Sequence, residues 1–454
     1  MVRSQRRAMA SVTVVGGGPA GVLVAAEATH KGLHVNWIDD RHFQGGLLQQ
    51  YQAVPSNTKL SHLQDFGFFE SPLKELAEHC PNVRSATSNI ARNVLRTPPS
   101  FNTLDPNNGW PRIADMQQLF ASCSEALGGM DNVTKIKGAA TSVHRKKQQW
   151  YTDVEGVSTA VVSDALVLCC GGVPNTLPEL STLKNVNDPI PPPHRQPPHG
   201  AASSSSSPRV VDQRDALDQE KLATVLGTYR PKNIAIIGNS HTAALVARNL
   251  TALKLGTERG AQPPLKIHVY SRNPVQLAEW IPALNNYRYT ANGLKGLAAS
   301  YVLDERAAAK AATRNFRHAR TTTTMMAMDE SFWANQKYNQ YDLIIPCVGF
   351  VPASHPEIRA ETQTTPITFQ YDPSTAALNV NENIYECGMS QPEYFTATTG
   401  GLGGYPSPAV GGGEETGVEG WRGERLVSWL LFRTRAKQIV GNIVEHENRN
   451  SVTM

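Results

Sequence analysis

The chain has 454 residues, 40% hydrophobic and 18% charged, with a formal net charge of +4. That length exceeds one core of ordinary size, so two or three domains are expected; the small charge offers no footprint for nucleic acid or an anionic membrane surface. Six cysteines (Cys80, Cys123, Cys169, Cys170, Cys347, Cys387) fall into no CxxC or metal-ligand spacing, so neither a secreted disulfide scaffold nor a metal site is expected and a reducing, cytoplasmic compartment is the default. Residues 1–10 carry three arginines and no apolar stretch, which argues against a secretory signal and leaves a short transit sequence marginal. No run of about 18 apolar residues occurs, so no membrane span is expected.

The first ordered stretch is the most informative. Val12-Thr13-Val14-Val15 is β-branched, Gly16-Gly17-Gly18-Pro19-Ala20-Gly21 follows at once, and Val22 to His30 suits a helix. A second apolar run, Leu33 to Ile38, ends in Asp39-Asp40. This strand, glycine turn, helix and acid-tipped strand form the pattern of a dinucleotide-binding βαβ unit. Gly16 permits a sharp exit from the strand, Gly18 removes a side chain that would block a pyrophosphate, and Gly21 lets helix and strand pack closely. Asp39 is placed to accept hydrogen bonds from ribose hydroxyls. The bland alternative is a tight turn that holds nothing.

Next come Gly45-Gly46-Leu47, then Tyr51, Val54, Asn57, Thr58 and Lys59, and Asp65-Phe66-Gly67-Phe68. With the first glycine turn, these residues resemble the start of the flavin-containing and N-hydroxylating monooxygenases. The resemblance implies FAD in the first unit, with Gly16, Gly18, Pro19, Ala20, Gly21, Asp39, Asp40, Gly46 and Leu47 around it. It also implies that Asn57 lies beside the flavin ring; the alternative is a turn asparagine bonded to its own backbone.

Leu73 to Leu127 reads as helices around a Pro- and Asn-rich loop, Thr97 to Pro111. Three alternating runs follow, Val133 to His144, Gln149 to Val154 and Thr159 to Cys170, expected as a small antiparallel meander. The vicinal Cys169 and Cys170 close the last run; neighbouring strand residues point to opposite faces, so core packing is preferred to a redox pair. Residues 186–208 are rich in proline and serine and read as a linker, and Asp215 to Leu226 as a helix leading out of it.

A second strand, Lys232 to Ile237, then runs into Gly238-Asn239-Ser240-His241-Thr242-Ala243 and a helix, Ala244 to Lys254. This copy resembles the NADPH domains of the same monooxygenases, with Gly238, Ser240, Thr242 and Ala243 at the phosphates. The strand after it, Lys266 to Tyr270, ends in Ser271-Arg272 with no acid. Serine and arginine suit a 2′-phosphate, which an acid would repel, so NADPH is favoured over NADH. Tyr341 to Phe350 is the closing strand, although Pro346 argues against regular central pairing there. Tyr394 to Tyr405 supplies the last strand and a small-residue turn, Gly400-Gly401, which the resemblance brings towards the flavin. A helix is expected over Glu424 to Glu445.

The expected fold is α/β, with two Rossmann-like dinucleotide-binding domains and the NADPH domain inserted in the FAD domain. Residues 1–185 and 353–454 form the FAD domain, 186–227 the linker and lead-in helix, and 228–352 the NADPH domain. The resemblance implies an FAD- and NADPH-dependent monooxygenase that uses molecular oxygen, through a flavin C4a-hydroperoxide, to oxygenate a small-molecule substrate. Disulfide reductases share the architecture but need CxxxxC or CxxC, and neither occurs. The FxGxxxH stretch usual in the monooxygenases is also missing, which keeps open a non-oxygenating FAD-dependent reductase or dehydrogenase, and a nucleotide-binding sensor as a third class.

Overall fold

The computed structural model describes residues 10–56, 70–95, 111–188, 207–255, 265–277, 293–312, 321–328, 330–359, 376–379, 383–388 and 429–452, with short pieces at 280–281, 286–287, 372, 393–395 and 424–426. The chain starts with β1 (Ser11–Val15), α1 (Pro19–His30) and β2 (His34–Asp39). Pro19 opens α1, where its fixed φ and missing N–H carry no penalty. Every residue from Ala20 to Ala28 of α1 is buried, as expected of a helix that is apolar all round. A tight turn at Gly46–Gln50 leads to α2 (Leu73–His79), α3 (Pro81–Leu95) and α4 (Ile113–Gly128).

Then come β3 (Val133–Lys137), β4 (Ala140–Lys146), β5 (Gln149–Val154), β6 (Val161–Ser163), β7 (Ala165–Leu168) and β8 (Gly172–Pro174). The second unit runs through β9 (Arg209–Val210), α5 (Gln213–Leu217), α6 (Gln219–Tyr229), β10 (Asn233–Ile237), α7 (His241–Leu255) and β11 (Leu265–Ser271). It continues through the pair β12 (Trp280–Ile281) and β13 (Asn286–Tyr287), then α8 (Gly296–Ala312), β14 (Thr321–Ala327), α9 (Glu330–Ala334) and β15 (Leu343–Pro346). The chain returns through β16 (Phe350–Pro352), β17 (Glu357–Arg359), β18 (Ala377–Asn379) and β19 (Ile384–Glu386). β20 (Glu393–Phe395), β21 (Glu424–Leu426) and α10 (Trp429–Val452) complete the described elements.

Two largely parallel sheets organise the molecule, β18 alone running antiparallel to its neighbour. The first has the order β18-β19-β7-β1-β2-β3 and the second β14-β11-β10-β15-β9. Helices α1, α4 and α10 bury one face of the first sheet; its other face packs on the small sheet β17-β4-β5-β6. The units are joined by two crossings that pair with each other as the antiparallel ribbon β8 and β16. A second link is polar: Gln213 Nε2 donates to the Tyr51 hydroxyl at 3.1 Å, and Arg214 donates to Gln50 Oε1 at 2.9 Å.

Several sequence expectations are corrected. The run Val133 to His144 is two strands, because Gly138 turns the chain at φ +147°, where an added Cβ would meet the Glu155 carbonyl at 2.6 Å. β3 therefore pairs with β2 at the edge of the main sheet, outside the meander. The lead-in helix is broken at Asp218, whose carboxylate caps α6 by accepting from the Glu220 and Lys221 N–H groups. Just after the stretch read as a linker, β9 pairs with β15, and Ala216, Leu217 and Leu222 enter the core of the second unit.

Pro346 does lie in a central strand, as its last residue. Cys347 N–H donates towards β10, to the Ile237 carbonyl, so by alternation the Pro346 nitrogen faces β9, where pairing stops at Val210. At the C-terminus the strand entering the main sheet is β19, paired with β7; the Tyr394-Phe395 pair belongs to β20, which pairs with β21. The expected helix from Glu424 begins only at Trp429 and runs to Val452.

Candidate functional site

The glycine turn after β1 is built by close backbone contacts. Gly16 sits at φ +114°, and a Cβ there would lie 2.3 Å from the Cys169 carbonyl oxygen; a Cβ on Gly21 would lie 1.8 Å from the Gly16 carbonyl oxygen. Both sites require glycine. The buried Trp37 donates its indole N–H to that same Gly16 carbonyl at 2.9 Å, fixing the peptide from below. Gly18 differs: its φ is −76°, and an added Cβ would meet nothing within 4 Å. Its open side faces a cavity of about 290 Å³ at the N-terminus of α1, also lined by Pro19, Ala20, Asp39, Asp40, Gly46 and Leu47. A helix N-terminus and bare glycine backbone are what a pyrophosphate needs.

Asp39 lies in the cavity wall with its carboxylate held by the backbone. It accepts from Gly17 N–H at 2.7 Å through Oδ1, and from Phe43 and Arg41 N–H at 2.7 and 3.1 Å through Oδ2. Burial pushes its pKa up, and the backbone bonds to Phe43 and Gly17 pull against that. With one bond on Oδ1 and two on Oδ2, Oδ1 retains acceptor capacity towards the cavity.

Sequence reading missed the opposite wall. It is made by Gly138 to Ala140, by Cys169 to Val173, by Ala353, Ser354 and Pro356, by Gly388 and by Phe432. The available signal was Asn383 to Gly388, a short strand ending in glycine like the one at Gly171. Gly388 is at φ +122°, where a Cβ would approach Ala20 Cβ at 3.3 Å. Asn57, Gly400 and Gly401 lie outside the described residues.

The second unit repeats the construction bond for bond. Gly16 N–H donates to the Ile38 carbonyl and Gly238 N–H to the Tyr270 carbonyl; Cys169 N–H donates to Val15 and Cys347 N–H to Ile237, all at 2.7–2.8 Å. Gly238 sits at φ +118° with its missing Cβ 2.1 Å from the Cys347 carbonyl oxygen. Ala243 is buried in the core, while Ser240 and Thr242 keep exposure at the start of α7. Ser271 donates its hydroxyl to the Asn273 carbonyl at 2.8 Å, and Asn239 Nδ2 donates to the same oxygen at 2.5 Å. Arg272 is exposed and makes no hydrogen bond or ion pair among the described residues, so of the two residues assigned to a 2′-phosphate it is the one with donors to spare.

His241, at the start of α7, accepts the Lys295 backbone N–H on Nε2 at 2.9 Å, which requires a neutral ring. Burial, with a smaller effect from Lys295, pushes its pKa down to about 4. The unfolded chain then takes up this proton near pH 6.5 and the folded one only near 4, so stability falls as pH drops through that window and levels off below it. The loss is at most about 3 kcal/mol. Comparing thermal unfolding of wild type and His241→Gln from pH 7 to 4 should show their difference shrinking as pH falls; a constant difference would contradict the assignment.

No group of three or more His, Cys, Asp or Glu among the described residues is arranged to hold a metal ion. No helix among them is long and apolar enough to cross a membrane.

Two largely parallel sheets, each with a glycine turn leading into a helix, joined by a double crossing, define a flavoprotein oxidoreductase fold with two dinucleotide-binding units. Residues 10–365 match the model of the pyridine nucleotide-disulphide oxidoreductase family, and the chain belongs to it. It is 27% identical over 312 residues to monooxygenase AgnR1 of Paecilomyces divaricatus, covering 65% of this chain and 67% of that protein. Among solved structures, L-lysine 6-monooxygenase from Pseudomonas syringae superposes with a TM-score of 0.53 at 12% identity, over 96% of this chain and 99% of that one. The bacillithiol disulfide reductase of Staphylococcus aureus gives 0.48 at 11%, over 96% and 98%. At 12% identity the likeness to the L-lysine 6-monooxygenase speaks to the fold alone. The family's name implies a nicotinamide cofactor and its architecture a flavin.

Proposed function

We propose that the protein is an FAD- and NADPH-dependent monooxygenase acting on a small organic molecule, with molecular oxygen as cosubstrate. FAD is assigned to the first unit. The residues fit it: the open side of Gly18 at the α1 N-terminus suits the pyrophosphate, and Asp39 Oδ1 suits a ribose hydroxyl. NADPH is assigned to the second unit through Arg272. When bound, the flavin supplies the redox chemistry, taking a hydride from the nicotinamide and passing electrons to oxygen.

The observation that carries this reading over disulfide reduction is the cysteines' spacing and burial: none stand as CxxC or CxxxxC, and Cys123, Cys169, Cys347 and Cys387 are buried. Burial pushes Cys123 and Cys170 up to about 12 and Cys347 higher still. Cys169 is raised by a hydrogen bond with Cys387 and by burial. Exchange with a disulfide needs an accessible thiolate of lowered pKa, the opposite of these environments. The relative named a monooxygenase supports the same reading.

The test is rapid mixing of NADPH-reduced protein with oxygen. A long-lived spectrum distinct from reduced and oxidised flavin is expected, and Asn57→Ala should shorten its life while leaving FAD bound. Direct reoxidation without that phase would favour a non-oxygenating oxidoreductase. A protein that purifies colourless and takes up no FAD would defeat both.

A further inference from the structure

β19, which lies in the main sheet between β18 and β7, carries a glutamate. Its neighbours Ile384, Tyr385 and Cys387 are buried apolar residues, and Glu386 itself is 0% exposed. A lone carboxylate so placed costs several kcal/mol unless paired. Its partner comes from the return crossing: His355 Nε2 lies 2.7 Å from Glu386 Oε1, and that bond raises the imidazole pKa against the effect of burial. Glu386 Oε2 has no hydrogen-bond partner among the described residues.

The pair joins two segments that meet at the first cavity. Ala353, Ser354 and Pro356 line it on the His355 side, and Gly388 lines it just beyond Glu386. Ala353 N–H also donates to the Gly171 carbonyl at 3.1 Å, at the opening of the ribbon between the units. Neither His355 nor Glu386 is itself in the cavity wall; His355 lies between the lining residues Ser354 and Pro356, and Glu386 two residues before Gly388.

We propose that Glu386 and His355 are a positioning pair for the flavin nucleotide: their ion pair draws the return crossing onto β19, so that the wall formed by Ala353, Ser354, Pro356 and Gly388 closes on the cofactor. This rests on the reading of that cavity as the FAD site. A buried ion pair contributes little net stability compared with apolar packing; its geometric specificity, holding one crossing in one place, is what a cofactor wall requires.

Glu386→Gln and His355→Gln, singly and together, test the pair through FAD affinity, measured by fluorescence titration of apoprotein, alongside apoprotein melting temperature. Each single variant should weaken FAD binding about tenfold or more, and the double variant no more than the worse single, because both changes remove one interaction. His355, the more exposed partner at 27%, keeps the test open should Glu386→Gln fail to fold. Lowered melting temperatures with unchanged FAD affinity would overturn the proposal, and so would additive losses in affinity. Wild-type protein unable to bind FAD would overturn the cofactor reading and the pair together; wild type that binds and variants that bind equally well would overturn the pair alone.

Discussion

Gly18→Ala is expected to give a well-folded apoprotein with much weakened FAD binding, whereas Gly21→Ala is expected to fail at the level of folding itself. The two glycines are three residues apart in one turn, but their missing side chains point into different things. At Gly18 the backbone is at φ −76°, open to alanine, and the new methyl meets no protein atom within 4 Å. It occupies only the space that a pyrophosphate would use, so the melting temperature of the apoprotein should stay within about 1 kcal/mol of wild type in stability while FAD affinity falls about a hundredfold, or about 2.7 kcal/mol. At Gly21 the methyl would lie 1.8 Å from the Gly16 carbonyl oxygen, between α1 and β1 in the centre of the core. Backbone must move, at the upper end of the overpacking range, about 3 kcal/mol or more. Equal FAD affinity in Gly18→Ala and wild type would show that no phosphate sits at that helix end.

Arg272→Ala is expected to raise KM for NADPH by about ten- to a hundredfold and to leave KM for NADH nearly unchanged, since a charge-assisted hydrogen bond contributes about 1.5–3 kcal/mol. Ser271→Ala should have the smaller effect, because its hydroxyl already donates to the Asn273 carbonyl. Steady-state kinetics with both nucleotides decides this. Equal losses for NADPH and NADH would place Arg272 away from the 2′-phosphate, and a larger loss in Ser271→Ala would reverse the order of the two residues.

Local rules suffice where a short stretch contains all the partners of a structural feature. Gly16 to Gly21 and Gly238 to Ala243 are of this kind, since a strand, a positive φ and a helix start are all written in about ten consecutive residues. Core placement of Cys169 was legible from strand alternation, and its burial agrees. Pro346 shows the limit of such rules: proline forbids a donor, but only the position of β9 tells whether a donor was needed there. The run Val133 to His144 failed for a related reason, because periodicity continues across Gly138 while the chain does not.

Two nucleotide-binding βα units, their order, and the acid at Asp39 against the arginine at Arg272 are legible along the chain. These depend on residues adjacent along the chain. Only the packed chain shows that the first cavity is walled by Cys169 to Val173, by Ala353, Ser354 and Pro356 and by Gly388, and that His355 reaches Glu386 from 31 positions away. Parallel strands bring together segments separated by long crossings, and strand patterning says which face a residue takes but not which strand will lie beside it.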